Sequence, residues 1–184
     1  MLEGSVMLKK FLIAIGAVIL AFLGYVALQP AVGRVERSAS IAAPASAIFA
    51  HVNDFHKWEA WSPWAKLDPA AKTTFEGPVS GKGASFSWAG NSEVGEGKMT
   101  IVESDPSDHI KINLDFIKPM QSASVAEFTF KPDGNKTKVT WSMSGERPFL
   151  ARAMCILFGA DRMVGGMFEQ GLANLDAVAM GKKP

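Results

Sequence analysis

The chain is poor in the features on which cross-linking and most catalysis depend. It has one cysteine, Cys155, so no internal disulfide can form. That residue stands among Met154, Ile156 and Leu157, the setting of a buried, inert thiol. The net charge is +1 over 184 residues, with no run of Lys or Arg longer than a pair. Such a chain offers no field to a phosphate backbone, which argues against a nucleic-acid partner. No glycine-framed serine nucleophile occurs. Gly77-Pro78-Val79-Ser80-Gly81-Lys82-Gly83 looks like a phosphate loop, but it is one residue short and lacks Ser or Thr after the lysine. It also leads into a strand pattern, so it reads as a hairpin turn. His51, His56 and Glu59 lie close in sequence, yet the two histidines point to different sides of any continuous helix and no fourth ligand stands nearby. No metal or cofactor is therefore expected, and His109, after a turn, reads as exposed.

What is present is mainly hydrophobic, at 48% of residues, enough for one globular domain plus an appendage. The appendage is residues 1–30. From Phe11 to Leu28 no charge occurs, Lys9 and Lys10 precede the run, and Gln29 and Pro30 follow it. This length just reaches that of a membrane-spanning helix. A cleaved signal peptide is the rival, but no clean small-x-small site follows and Pro30 stands in the way, which favours an uncleaved single-pass anchor. The preceding lysines predict a cytoplasmic N-terminus and a domain on the extracytoplasmic, in bacteria periplasmic, side.

Residues 31–184 form the domain. Arg34 to Ile41 alternates as a half-buried strand, with Val35, Arg37, Ala39 and Ile41 on the inner side. Pro44 to Val52 reads as a short helix with Ile48, Phe49 and Val52 inward, broken by Asn53-Asp54. Next come Trp58, Trp61 and Trp64, three of the five tryptophans. A three-residue step puts Trp58 and Trp61 on one side of a helical turn, and Pro63 forces the chain out of it before Trp64.

From Lys72 to Gly145 the grammar is two-residue alternation between turns, the signal of an antiparallel sheet. The inner residues are Phe75; Ala84, Phe86 and Trp88; Met99, Ile101 and, by parity, Glu103; Ile110, Ile112, Leu114 and Phe116; Ala126, Phe128 and Phe130; and Val139, Trp141 and Met143. Asp115 and Glu127 point outward. Phe149 to Met180 has a helical period, with Val164, Phe168, Leu172, Leu175 and Ala179 as a buried stripe beside Met167. Its first half, to Phe158, is apolar on nearly every side, as a segment bordering a cavity would be. The Gly165–Gly166 pair predicts a bend or break, and Asp161 after Gly159 is placed to cap a second helical segment.

This order, with Ile41-Ala42-Ala43-Pro44, Trp61-Ser62-Pro63-Trp64 and Gly171-Leu172-Ala173-Asn174-Leu175, resembles the SRPBCC superfamily. Within it the chain is most similar to the polyketide cyclase/dehydrase-like branch, related to START lipid-transfer and pollen-allergen proteins. The resemblance covers Arg34 to Met180. It implies an α+β helix-grip fold, in which a curved seven-stranded antiparallel sheet with two short helices wraps around a long C-terminal helix. It also implies a cavity for a hydrophobic small molecule or lipid, without a shared catalytic motif.

The candidate ligand-binding residues are Trp61, Trp64, Phe86, Trp88, Met99, Ile112, Leu114, Phe116, Phe128, Trp141, Met143, Met154, Phe158, Met167 and Phe168. Periodicity alone also fits a plain packed core, and the tryptophan cluster fits a core lid, a pocket mouth or a membrane contact. Inward charges such as Arg37 and Glu103 read as solvated rim residues, so no catalytic residue is assigned. Membrane-anchored binding or transfer of an apolar molecule is the first functional expectation. A cyclase/dehydrase-type enzyme acting on an aromatic or polyketide-like substrate is the alternative.

Overall fold

The computed structural model describes residues 2–184 and, at positions 2–6, 8, 158 and 160, the backbone alone. The chain forms two compact units, one from the segment up to Val32 with Arg147–Ala160, the other from Gly33–Glu146 with Asp161–Pro184.

In the first unit, α1 (Leu2–Ala27) packs with α3 (Phe149–Phe158). Lys9–Ala27 is long and apolar enough to cross a membrane by length and composition, a test that a signal sequence also passes. Nothing in that run breaks a helix until Pro30. The Arg147 N–H donates to Ala31 O at 2.6 Å, and Arg152 Nη1 donates to the carbonyls of Gln29 (2.9 Å) and Ala27 (3.2 Å). A guanidinium there meets the unpaired acceptors and the negative end of α1.

The second unit is an α+β helix-grip fold. Its curved antiparallel sheet has the order β1-β7-β6-β5-β4-β3-β2. The strands are β1 (Val32–Ile41), β2 (Lys72–Glu76), β3 (Ser85–Ala89), β4 (Glu96–Asp105), β5 (His109–Lys118), β6 (Ser122–Asp133) and β7 (Lys136–Glu146). The chain crosses from one sheet edge to the other through α2 (Ala45–Val52) and two 3-10 turns, Phe55–Ala60 and Pro63–Lys66. Against the concave face lies α4 (Ala160–Ala179), whose Phe168, Leu172 and Leu175 are buried.

Alternation along the strands sets the inner face as expected. Registers such as Ile112↔Ala126 and Phe128↔Trp141 bring the apolar sets together. Ile41, Ile48, Val52, Ile101, Ile110, Phe130 and Val139 complete the core, each fully buried side chain contributing about 1.5–3 kcal/mol. Two polar side chains are tied to backbone carbonyls inside the fold: Thr137 Oγ1 donates to Ala43 O at 2.8 Å, and Asn174 Nδ2 to Trp61 O at 2.9 Å.

Three expectations are corrected. The register shifts between Ile101 and Glu103, so that Glu103 pairs with Lys111 on the outer face. One extra residue, Val102, reverses the parity. The C-terminal helix breaks at Gly159 and not at Gly165–Gly166, through which α4 runs unbroken. Gly159 adopts a left-handed φ of 63° and its N–H closes α3 on Cys155 O. At Gly165 an added Cβ would overlap the guanidinium of Arg37, which occupies the space that the missing side chain leaves. Finally, His109 is only about a fifth exposed, with Nε2 at 3.5 Å from Glu127 and Nδ1 at 3.9 Å from Glu103 and Asp105.

A candidate ligand cavity on the concave face

The tryptophan segment builds one wall. Asp54 caps the first 3-10 turn by accepting from the His56 N–H at 3.0 Å. A 3-10 turn eclipses residues three apart, which places Trp58 against Trp61 with ring centroids 4.8 Å apart. Their indole N–H groups donate to Val52 O (2.9 Å) and His51 O (3.3 Å), fixing both rings. Pro63 opens the second turn and redirects Trp64 toward Trp141 and Phe168, at centroid distances of 5.7 and 6.1 Å.

Between these turns, the sheet and α4 lies a cavity of about 390 Å³. Phe75, Phe86, Trp88, Met99, Leu114, Phe116 and Met143 line it from the sheet, and Val164 and Phe168 from α4. Trp88 is pinned by donating to Val94 O at 2.9 Å, and it lies across β4 only because Gly97 has no Cβ, which would stand 2.5 Å from the ring. Trp141 is stacked on Phe168 at 4.2 Å and on Phe128 at 4.8 Å. It is 3% exposed, and its Nε1–H is buried without a partner among the described residues.

The polar lining is small: His56, Glu59, Ser62, Asp68 and Thr73, with no Lys or Arg. His56 Nδ1 lies 3.0 Å from Asp54 Oδ1, and its ring stacks on Phe75 at 4.0 Å. With Nδ1 donating to the carboxylate, Nε2 is the basic nitrogen. Asp68 is held by backbone N–H groups of Asn91 (2.7 Å) and Ala70 (3.1 Å). A smaller cavity of about 160 Å³ adjoins His56 and Phe75, with the unpaired hydroxyl of Ser85 in its lining. Among the described residues no cluster of His, Cys, Asp or Glu has metal-site geometry. His51 is pushed below its ordinary range by burial and, less, by Lys57.

Of the expected site residues, Trp64, Phe86, Trp88, Met99, Leu114, Phe116, Trp141, Met143 and Phe168 stand on the cavity wall. Trp61, Ile112 and Phe128 do not: all three are fully buried and belong to the packed core. Met167 is half-buried in α4 but off the wall. Met154, on α3 in the other unit, is 46% exposed and is not among the residues that line the cavity. The Phe158 side chain lies outside the described residues. Sequence reading missed Phe55, Trp58, Val164 and the polar set. Phe55 and Trp58 were legible as inward positions of a helical turn, whereas the polar residues lie in turns without periodicity.

Arg37 does point inward, as its parity predicts. It donates to Glu169 Oε1 at 2.6 Å and lies 3.4 Å from Asp161 Oδ2, and the Glu169 hydrogen bond raises its pKa further. It fastens α4 to β1 and is absent from the cavity lining.

No curated protein matches the chain. Solved structures share the fold. A protein of Chromobacterium violaceum is 14% identical with a TM-score of 0.55, the match covering 82% of this chain and 98% of that one. One from Rhizobium leguminosarum is 12% identical at 0.59, over 82% and 96%. The di-domain ARO/CYC StfQ from the steffimycin biosynthetic pathway is 13% identical at 0.58, over 82% of this chain and 51% of that one. The family described as polyketide cyclase / dehydrase and lipid transport matches residues 32–180, from β1 to the end of α4. With that match over most of its length, the chain belongs to the polyketide cyclase/dehydrase and lipid transport family.

Proposed function

We propose that the protein binds a hydrophobic small molecule in the concave-face cavity while α1 tethers it to a membrane. The observation that carries this reading is the cavity itself. Its volume of about 390 Å³ falls in the range of small-molecule sites, and its wall is aromatic and thioether-rich with few polar groups. The size suits one ring system or one acyl chain better than a two-chain lipid. Lys9 and Lys10 before the span support a cytoplasmic N-terminus and an extracytoplasmic binding domain.

One feature favours a second reading, an enzyme of the cyclase/dehydrase type. The His56–Asp54 pair at the cavity has the arrangement of a general base, with the carboxylate fixing the tautomer. In that case His56→Ala would leave binding intact and abolish conversion of the bound molecule.

Titration of the detergent-solubilised full chain with a neutral polyaromatic probe and with a fluorescent fatty acid, read by tryptophan quenching, tests the binding reading. Saturable quenching by at least one probe, lost in Val164→Trp, is the expected result. Absence of uptake of both would overturn it.

A further inference from the structure

We infer that α3 is a second membrane-embedded element, lying in the outer part of the bilayer beside α1. The inference rests on α1 being the anchor. Phe149–Phe158 is a ten-residue helix that leaves large apolar side chains uncovered: Leu150 is 64% exposed, Leu157 62%, Met154 46% and Phe149 42%. Scattered apolar residues on a soluble surface need no explanation, but a contiguous set on one short helix does.

Two observations identify lipid as what covers it. First, α3 packs on α1 in one compact unit, and α1 itself exposes Phe11, Ile13, Val18 and Leu20. The apolar surface of α3 is therefore continuous with that of the helix long enough to span hydrocarbon. Second, the only charged residue of α3, Arg152, has its guanidinium turned onto the terminal carbonyls of Ala27 and Gln29. The charge that would hold α3 in water is thus directed at the end of α1, the level where a spanning helix reaches the interface. Ten residues are too few to cross a bilayer, and such a length belongs to interfacial or re-entrant segments.

Cys155 lies on this helix and is the only cysteine in the chain, which makes the test direct. The full chain is reconstituted in phosphatidylcholine vesicles with a nitroxide at Cys155, or at Leu150→Cys or Leu157→Cys in a Cys155→Ser background. Accessibility to dissolved oxygen is compared with that to a water-soluble nickel chelate. Val18→Cys on α1 and Ser80→Cys in the β2–β3 hairpin serve as lipid and water references. The expected result is that positions 150, 155 and 157 favour oxygen several-fold, as Val18→Cys does. Nickel access at 150 and 157 with Val18→Cys in lipid would overturn the inference and leave the anchor standing. Shielding from both reagents would overturn it in favour of a protein partner. Nickel access at Val18→Cys as well would overturn the anchor reading, and this inference with it.

Discussion

The concave face has two halves built from the same strands, one filled and one hollow, and the boundary runs across the strands. Along β5, Ile110 and Ile112 are core while Leu114 and Phe116 line the cavity. On β6, Phe128 and Phe130 are core and Ala126 is wall; on β4, Ile101 is core and Met99 is wall. The registers Ile101↔Ile112, Met99↔Leu114 and Ala126↔Met143 carry the division across the sheet. Both halves obey the same alternation, so what separates them is what lies opposite. Trp61, Leu172 and Leu175 plug the filled half, whereas Val164 of α4 stands over the hollow half. Trp141 stands at the boundary, stacked on core rings and present in the cavity lining.

The largest effects should come from truncation. Trp61→Ala or Phe128→Ala should cost about 3–5 kcal/mol in urea unfolding, against about 1 kcal/mol for the half-buried Phe86. Equal losses would erase the distinction between the halves. Trp141→Ala should register in both measurements, losing about 3–5 kcal/mol and weakening the polyaromatic probe.

Glycine substitutions on α4 should differ in sign. At Gly171 an added Cβ meets Trp141 Cζ3 at 2.8 Å and Pro63 Cδ at 3.2 Å, both rigid, so Gly171→Ala should cost about 1–3 kcal/mol. Gly166 has nothing within 4 Å, and Gly166→Ala should gain about 0.5–1 kcal/mol through helix propensity alone. Thermal and urea unfolding of the pair check this.

Ala126→Leu, pointing into the hollow half, should cost no more than about 1–3 kcal/mol while lowering probe affinity about tenfold. An unchanged affinity would mean that the ligand does not reach β6.

The smallest effect is that of pH through His51, whose carbonyl holds Trp61 beneath the filled half. Burial lowers its folded-state pKa, so between that value and the usual imidazole value of about 6.5 the unfolded chain binds more protons. Stability should therefore rise with pH across that window and level off above it. His51→Gln should flatten the slope, as read by unfolding at a series of pH values.

The sheet was legible because alternation is a property of the strand itself: Ile110 to Phe116 and Val139 to Met143 fall on the face that their period predicts. Three kinds of feature were not. The Val102 bulge leaves no periodic trace, so Glu103 was assigned to the wrong face. The filling of the face depends on facing elements distant in sequence, which is why Trp61 and Phe128 could not be told from Trp64 and Phe86. And Met154 carries the same apolar signal as Phe168 although it is 46% exposed, because a helical period does not say what its apolar residues face.

The fastening of α4 differs between its two ends. Leu172 and Leu175 hold the C-terminal half by burial, which salt does not weaken. At the other end Arg37 reaches beneath Gly165 to Glu169 and Asp161, whose side chains are 64% and 62% exposed. Pairs so open to solvent are screened as ionic strength rises. Salt thus acts selectively on the first turns of α4, which carry Val164 at the ceiling of the cavity, and passes over the core from Phe168 onward that keeps the domain folded.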